Sequence, residues 1–339
     1  MKKDLLVTLA NYNYLNQAKQ LFSSVYHNAG WKGDYMLLSH EIPDEELKWF
    51  ESHGILVKIC ESLRLDGVDY YYNPVVLDKF YLFTPEFQKW SNIIFLDCDI
   101  IVRGPLEKLT KVKKFAAVAD LYSKKLKTQF FDAEKKIFNG KTYDTNVTAF
   151  NSGVFSLRTE IIKENTFDEL VNIFNTNRED FQFLDQATLN LYFYKKWEHL
   201  PYIYNVFMAC HETGLPKIFK CLVMHFITAP GQSKLWEEEN PYFNEWIGNL
   251  EKADDFDADK VLTIKQWSEL KITLNNRILK RLIYRSTHSM ANDIYYFFKS
   301  RWQTFRHFLS WAPERFAGFM GRIIRKLSPA LYRKLKRKN

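Results

Sequence analysis

Nowhere in this 339-residue chain do about eighteen apolar residues follow one another, so no transmembrane helix is expected. The N-terminus, MKKDLLVTLANYN, has two lysines, but its apolar stretch is too short and too rich in asparagine for a secretory leader. It reads instead as a first β-strand. Cysteine is scarce as well. Cys60, Cys98, Cys210 and Cys221 show no C-x-x-C spacing, which argues against a zinc site or a disulfide framework and suits a reducing, cytoplasmic compartment. Internal repeats, low-complexity tracts and nucleic-acid-binding modules are missing too, so no nucleic-acid partner is expected.

What the chain has is ample core material: 46% hydrophobic and 17% aromatic residues, enough for one large domain of roughly 250 residues plus something extra. The net charge of +8 is unevenly placed. From Asn276 to Asn339 there are sixteen Lys/Arg against Asp293 and Glu314, a net of +14, which leaves −6 for residues 1–275. The asymmetry points to an anionic partner for the tail rather than for the whole protein.

Strand and helix signals alternate through the first two-thirds. DLLVTLA, YMLLS, ILVKI and IIFLD read as strands. Residues 13–28 read as a helix with Leu15, Ala18, Leu21, Phe22 and Val25 on one face, Pro43-Asp44 opens a second, and residues 75–90 read as a third. Repeated strand–helix–strand units predict a mostly parallel, Rossmann-like α/β sheet flanked by helices. Ligands in such sheets bind at the carboxyl ends of strands. Two ends are chemically suggestive: Ala10-Asn11-Tyr12 after the first strand, and Asp97-Cys98-Asp99 after IIFL.

Asp97 and Asp99 stand at i and i+2, which on an extended chain points both carboxylates one way and Cys98 the other. With no Lys or Arg between them they repel unless a cation shares the site. Hard oxygen ligands suit Mg²⁺ or Mn²⁺, ions that usually also hold a phosphate. The plainer alternative is a polar turn after a strand. Tyr12 and Tyr14 likewise either face a nucleotide or pack as ordinary aromatics.

From about residue 275 the character changes. Ile278, Leu279, Leu282 and Ile283 form a stripe flanked by Arg277, Lys280, Arg281 and Arg285. Aromatic and aliphatic residues continue at helical spacing to LYRKLKRKN. Basic helices with Trp, Phe and Leu on the opposite face suit peripheral attachment to an anionic membrane surface. A helical subdomain packed on the body is the alternative. The expected organisation is a catalytic domain over 1–250, a connecting segment over 251–275, and a basic amphipathic membrane-associating region over 276–339.

Four further segments join the aspartates: NPVVLDKFYLF with Lys79, FNSGVFSLR with Asn151 to Gly153, FLDQATLN with Asp185 and Gln186, and CLVMHFITAPGQSKLW with His225, Gly231 and Lys234. In this order, over about residues 4–236, they resemble the family 8 retaining glycosyltransferases of the GT-A fold, the group of glycogenin and the bacterial lipooligosaccharide galactosyltransferases. The resemblance implies a hexosyltransferase that moves galactose or glucose from a UDP-sugar, with Mn²⁺ or Mg²⁺, to a glycan or glycolipid acceptor. It implies Asp97, Asp99 and His225 as metal ligands, with Lys79, Lys234 and the backbone of Gly231 on the diphosphate. Asn151, Asp185 and Gln186 would line the donor-sugar and reaction site, Asp120 would bind sugar, and Asn11 and Tyr12 would face the uridine. The family usually shows H-x-x-G-x-x-K-P-W. Here His225 and Gly231 are six apart and Leu235 replaces the proline, a departure that a three-residue insertion explains. No residue declares itself a nucleophile. Gln186 is a poor one, so front-face attack within an ion-pair-like state is expected. Two other classes share parts of the pattern: a haloacid-dehalogenase-type phosphatase, whose strand also ends in D-x-D, and an inactive GT-A binding protein held at a membrane.

Overall fold

A computed structural model describes residues 2–63, 73–207, 221–227, 233–264 and 267–288. Its strands, in chain order, are β1 (Leu5–Asn11), β2 (Asp34–His40), β3 (Leu56–Cys60), β4 (Asn92–Leu96), β5 (Ile100–Val102), β6 (Phe115–Ala119), the hairpin β7 (Ile137–Phe138) and β8 (Lys141–Thr142), β9 (Phe150–Arg158), β10 (Glu198–His199), β11 (Val206–Phe207) and β12 (Val223–His225). The α-helices are α1 (Leu15–Ala29), α2 (Asp44–Ser52), α3 (Thr166–Asn177), α4 (Leu184–Tyr192), α5 (Phe243–Leu250) and α6 (Glu269–His288).

Seven strands make the main sheet in the order β10-β6-β9-β4-β1-β2-β3. Its pairings are parallel except those of β9, which runs antiparallel to both β4 and β6. The mostly parallel sheet flanked by helices is therefore as the sequence led one to expect. The central strands are apolar throughout because both of their faces are covered: all five residues of β4 and eight of the nine in β9 are buried. Over one face Phe83, Phe95, Phe115, Phe155 and Phe193 stack, with Phe115 and Phe193 only 3.9 Å apart. Helix α1 buries the expected stripe of Leu15, Ala18, Leu21, Phe22 and Val25. It ends at Gly30, whose φ of 58° is the left-handed cap that favours glycine.

Two local expectations are corrected. Residues 75–90 are not an α-helix but two 3₁₀ segments, Pro74–Phe83 and Pro85–Lys89. Pro85 forces Thr84 into extended geometry (ψ 150°) and so separates them. Asn151, Ser152 and Gly153 stand at the start of the apolar strand β9. Finally, Asp97 and Asp99 do not sit on an extended chain. β4 stops at Leu96, residues 98 and 99 turn, and β5 leaves for a second sheet of order β11-β12-β5. The change of sheet within three residues makes the turn unavoidable, and it places the acidic pair at the junction of the two sheets.

Contacts divide the chain into a body of residues 1–227 and 233–279 and a second unit holding the rest. Within the body, α6 starts at Glu269 and buries Ile272, Asn275 and Leu279, leaving Ile278 39% exposed. Leu279 thus belongs to the core of the body rather than to a free apolar stripe. Residues 289–339, which carry most of the expected membrane-associating region, lie outside the described residues. Among the described residues no helix is long and apolar enough to cross a membrane.

Candidate active site

The N-terminal end of β9 lies beyond the carboxyl end of β4, because the two are antiparallel with Leu96 opposite Val154. One residue further on, the N–H of Asp97 donates to the carbonyl of Gly153 at 2.9 Å. From the second sheet, His225 at the end of β12 pairs with Ile100 of β5 and so swings over the same junction. Topology alone brings together residues far apart in sequence: Asp97, Asp99 and His225 each offer one ligand atom, all within 4.8 Å of one another. His225 Nε2 is 3.1 Å from Asp99 Oδ1 and 3.8 Å from Asp97 Oδ2.

Gly153 makes room for this cluster. A Cβ there would lie 2.3 Å from His225 Cε1, 2.6 Å from Asp97 Oδ2 and 3.0 Å from Asn151 Oδ1. The missing side chain at Gly153 thus admits the ligating side chains themselves. Two carboxylates and an imidazole form a donor set suited to a hard or borderline divalent ion, and the side that stays open belongs to the carboxylates. The side chains of Asp97 and Asp99 are each 28% exposed, against 3% for Lys79 and His225.

Lys79 and His225 partly offset the three carboxylates of the cluster. Lys79 Nζ sits 3.0 Å from Asp97 Oδ1 and 2.9 Å from Asp185 Oδ2. Burial pulls the ammonium toward neutrality, but Asp185 and Asp97 outweigh it and hold its pKa above the usual lysine value. Burial pushes Asp97 up, with Lys79 and His225 pulling it back. Asp99 resists the same burial because His225 stabilises its charge, and its pKa falls below the ordinary carboxylate value. His225 is raised in return, its own burial overcome by Asp99 and Asp97. Lys79 has thus taken two carboxylate partners, which leaves at most one of its three donors for a phosphate.

Asn151, Gln186 and Asp120, expected in one site, do meet. Asn151 Nδ2 donates to Gln186 Oε1 at 2.9 Å, and the N–H of Ser152 reaches the same oxygen at 3.1 Å. Gln186 Nε2 donates to Asp120 Oδ2 at 3.0 Å and to Gln129 Oε1 at 2.8 Å. Asp185 precedes Gln186 in the first turn of α4 and faces Lys79 instead. Burial raises Asp120, opposed by the backbone N–H groups of Ser123 and Tyr122 that its other oxygen accepts.

The rim is more open. Asn11 caps the turn after β1 by accepting from the N–H of Asn13 at 3.2 Å, and Tyr12 beside it is 54% exposed. Tyr14 lies near Asp99: burial raises its hydroxyl, and Cys98 and Asp99 add to the effect. Trp236 meets Tyr14 edge-on at 5.7 Å, and Lys234 Nζ stands 5.5 Å over the Trp236 ring. Exposed Lys234 is therefore tethered on the Asp99 side, and Leu235, where the motif usually has proline, is fully buried. Gly231 lies outside the described residues.

Residues 5–240 match the family model described as glycosyl transferase family 8. The chain belongs to that family. Three glycosyltransferases of Streptococcus pneumoniae serotype 4 are among its relatives. GlyA is 27% identical over 214 residues, covering 60% of this chain and 28% of its own. GlyB is 28% identical over 254 residues, covering 67% and 55%. The chain thus spans between about a quarter and a half of the length of these relatives. The galactosyltransferase LgtC, solved with donor and acceptor sugar analogues, superimposes with a TM-score of 0.55 at 15% identity, over 77% of this chain and 98% of that one. GlyE of S. pneumoniae gives 0.52 at 18% identity, over 84% and 64%. At such identities the two structures establish the shared fold, and the family match establishes a glycosyltransferase.

Sequence reasoning missed two members of this family 8 site. Asn205, fully buried, bonds both Asn151 and His225, and Gln129, also fully buried, receives Gln186. The signal for Asn205 was an amide set among aromatic and apolar residues in YIYNVF, a buried polar group that needs partners. Gln129 carried no comparable signal.

Proposed function

We propose that the chain is a metal-dependent, retaining hexosyltransferase that moves galactose or glucose from a UDP-sugar to a glycan acceptor, a lipid-linked cell-surface polysaccharide or a lipopolysaccharide. One observation carries the reading: Asp97, Asp99 and His225 converge around the space that only a glycine at 153 leaves. Asp97, Asp99 and His225 would hold Mn²⁺ or Mg²⁺, which when bound supplies Lewis-acid neutralisation of charge building on the UDP leaving group. Lys234, and the remaining donor of Lys79, add electrostatic stabilisation of the same charge. Asn11 and Tyr12, at the carboxyl end of β1, face the uridine, and the family motif assigns the diphosphate to Gly231 as well. Asp185 accepts from donor-sugar hydroxyls, and Asp120 is a further sugar-binding carboxylate, joined to Asn151 through Gln186.

Gln186 positions rather than attacks. Both lone-pair directions of its Oε1 are taken by Asn151 Nδ2 and the N–H of Ser152, which favours front-face transfer over a covalent route. The basic C-terminal region attaches the enzyme peripherally to the cytoplasmic face of a membrane, where a lipid-linked acceptor is presented.

The test is a panel of UDP-sugars with Mn²⁺, following UDP release with and without lipid-linked acceptors. Asp99→Ala should abolish release while leaving the thermal unfolding profile intact. Undiminished release from that variant, or from wild type in EDTA, refutes the metal-dependent reading.

A further inference from the structure

We infer that Asn205 is the positioning residue of the metal centre, holding the Nδ1–H of His225 so that Nε2 is the nitrogen presented to the ion beside Asp99. The inference rests on the proposed metal role of Asp97, Asp99 and His225. It follows from two backbone donors whose direction cannot be reversed. The N–H of Gly153 donates to one end of the Asn151 amide at 3.0 Å, so that end is the oxygen, Oδ1. Asn205 reaches the same oxygen at 2.8 Å and must present its NH₂ there. Its other end, 2.9 Å from His225 Nδ1, is then Oδ1, an acceptor. His225 Nδ1 must carry the proton and donate. Nε2, 3.1 Å from Asp99 Oδ1, is then the nitrogen left to face the cluster, giving a proton to Asp99 without an ion and a lone pair to an ion when one is bound.

The second anchor agrees from the far end. The N–H of Ser152 donates to Gln186 Oε1 at 3.1 Å, so Asn151 approaches that oxygen with Nδ2, at 2.9 Å. Gln186 then donates through Nε2 to Asp120 at 3.0 Å. Every bond in the row His225–Asn205–Asn151–Gln186–Asp120 therefore runs the same way, each member accepting from the metal side and donating toward a carboxylate. Amide dipoles aligned in this manner polarise one another. The row ties the imidazole at the metal to the amide at the sugar-binding side, and all five members are buried.

The experiment labels histidine with ¹⁵N and reads which ring nitrogens of His225 carry a proton in the full-length protein, both without metal and with Mg²⁺. Mn²⁺ affinity is then measured by electron paramagnetic resonance titration. Wild type should show Nδ1–H. Asn205→Ala should mix the tautomers and weaken Mn²⁺ binding about 10- to 100-fold, the usual loss when a ligand histidine's outer partner is removed. Asn205→Asp keeps the acceptor for Nδ1–H, so it should keep the tautomer and bind Mn²⁺ more tightly than Asn205→Ala, although its bond to Asn151 is lost. A wild-type Nε2–H tautomer, or equal Mn²⁺ affinity in wild type and Asn205→Ala, overturns the assignment. If Asn205→Ala does not fold, the wild-type tautomer and the Asn205→Asp titration decide. None of these readings needs sugar transfer, so a failure of the proposed hexosyltransferase activity is told apart from a failure of this inference.

Discussion

Replacing Gly153 by alanine adds one methyl group where three neighbours have already closed in. The nearest, His225 Cε1, would lie 2.3 Å from the new carbon, whereas unstrained carbon contacts need about 3.5–4.0 Å. Something must move by about 1 Å, and His225 has little freedom to do so. It is 2% exposed, held by Asn205 at Nδ1 and backed edge-on by Phe207 at 5.6 Å. Asp97 Oδ2, 2.6 Å from the same position, can swing outward only by loosening its ion pair with Lys79. Overpacking of this kind costs about 1–3 kcal/mol, while metal coordination tolerates displacements of only about 0.2 Å. Gly153→Ala should therefore fold with a modestly lowered melting temperature and lose Mn²⁺ binding almost completely. Thermal unfolding with and without Mn²⁺ and UDP reads both effects: at an ion concentration 100-fold above its dissociation constant, binding adds about 2.7 kcal/mol to wild-type stability, and the variant should gain none. Wild-type metal stabilisation in Gly153→Ala would refute the crowding on which the site geometry rests.

Lys79→Met removes the cation between Asp97 and Asp185, leaving buried charge uncompensated at a cost of about 3–5 kcal/mol; Mn²⁺ should restore part of the lost melting temperature, and a metal-free variant as stable as wild type would contradict the pairing. Burial pushes the Asp78 carboxyl up to about 6, with the bond to His40 opposing the shift. The folded state therefore holds this proton while the unfolded chain releases it near 3.8, so Asp78 lowers stability as pH rises from about 4 to about 6. Asp78→Asn should raise stability at pH 7 by on the order of 2–3 kcal/mol and flatten denaturant midpoints across that window; an unchanged pH profile counts against it. The full-length chain should float with anionic liposomes at low salt and dissociate as salt rises, each surface-held Lys or Arg contributing about 1 kcal/mol. A truncation after His288, which spares buried Leu279, should stay folded and lose flotation; flotation retained without residues 289–339 would remove the tail from the account.

Much of the fold is written in local pattern. β1, β2 and β4 are short apolar runs bounded by polar turns, α1 shows its buried stripe directly, and α2 opens on Pro43 with Asp44, Glu45 and Glu46 in its first turn. The failures come where a neighbour or a turn overrides the pattern. Residues 74–89 carry helical periodicity, but Pro85 cuts it and 3₁₀ geometry replaces the α-helix. That β9 is antiparallel cannot be read from FNSGVFSLR, since an apolar strand buried on both faces looks alike in either direction.

The direction of β9 is what builds the site. Were it parallel to β4, its Asn151 and Gly153 would fall at the amino ends of the strands, on the far side of the sheet from Asp97. Run antiparallel, it delivers Gly153 to Asp97 and Asn151 to Gln186 and Asn205 in a single pass. Asp97 and Asp99 announce themselves because paired carboxylates are costly to bury without a purpose, whereas Lys79, Asp185 and His225 stand out only through the ordered motifs that carry them. Asn205 and Gln129 are different. A neutral amide is cheap enough to occur anywhere, and its worth depends on which partner the fold sets at each end. The acids and the histidine were therefore legible only as an ordered set of segments, and the amides that bond to them only once β9, β12 and α4 were in place.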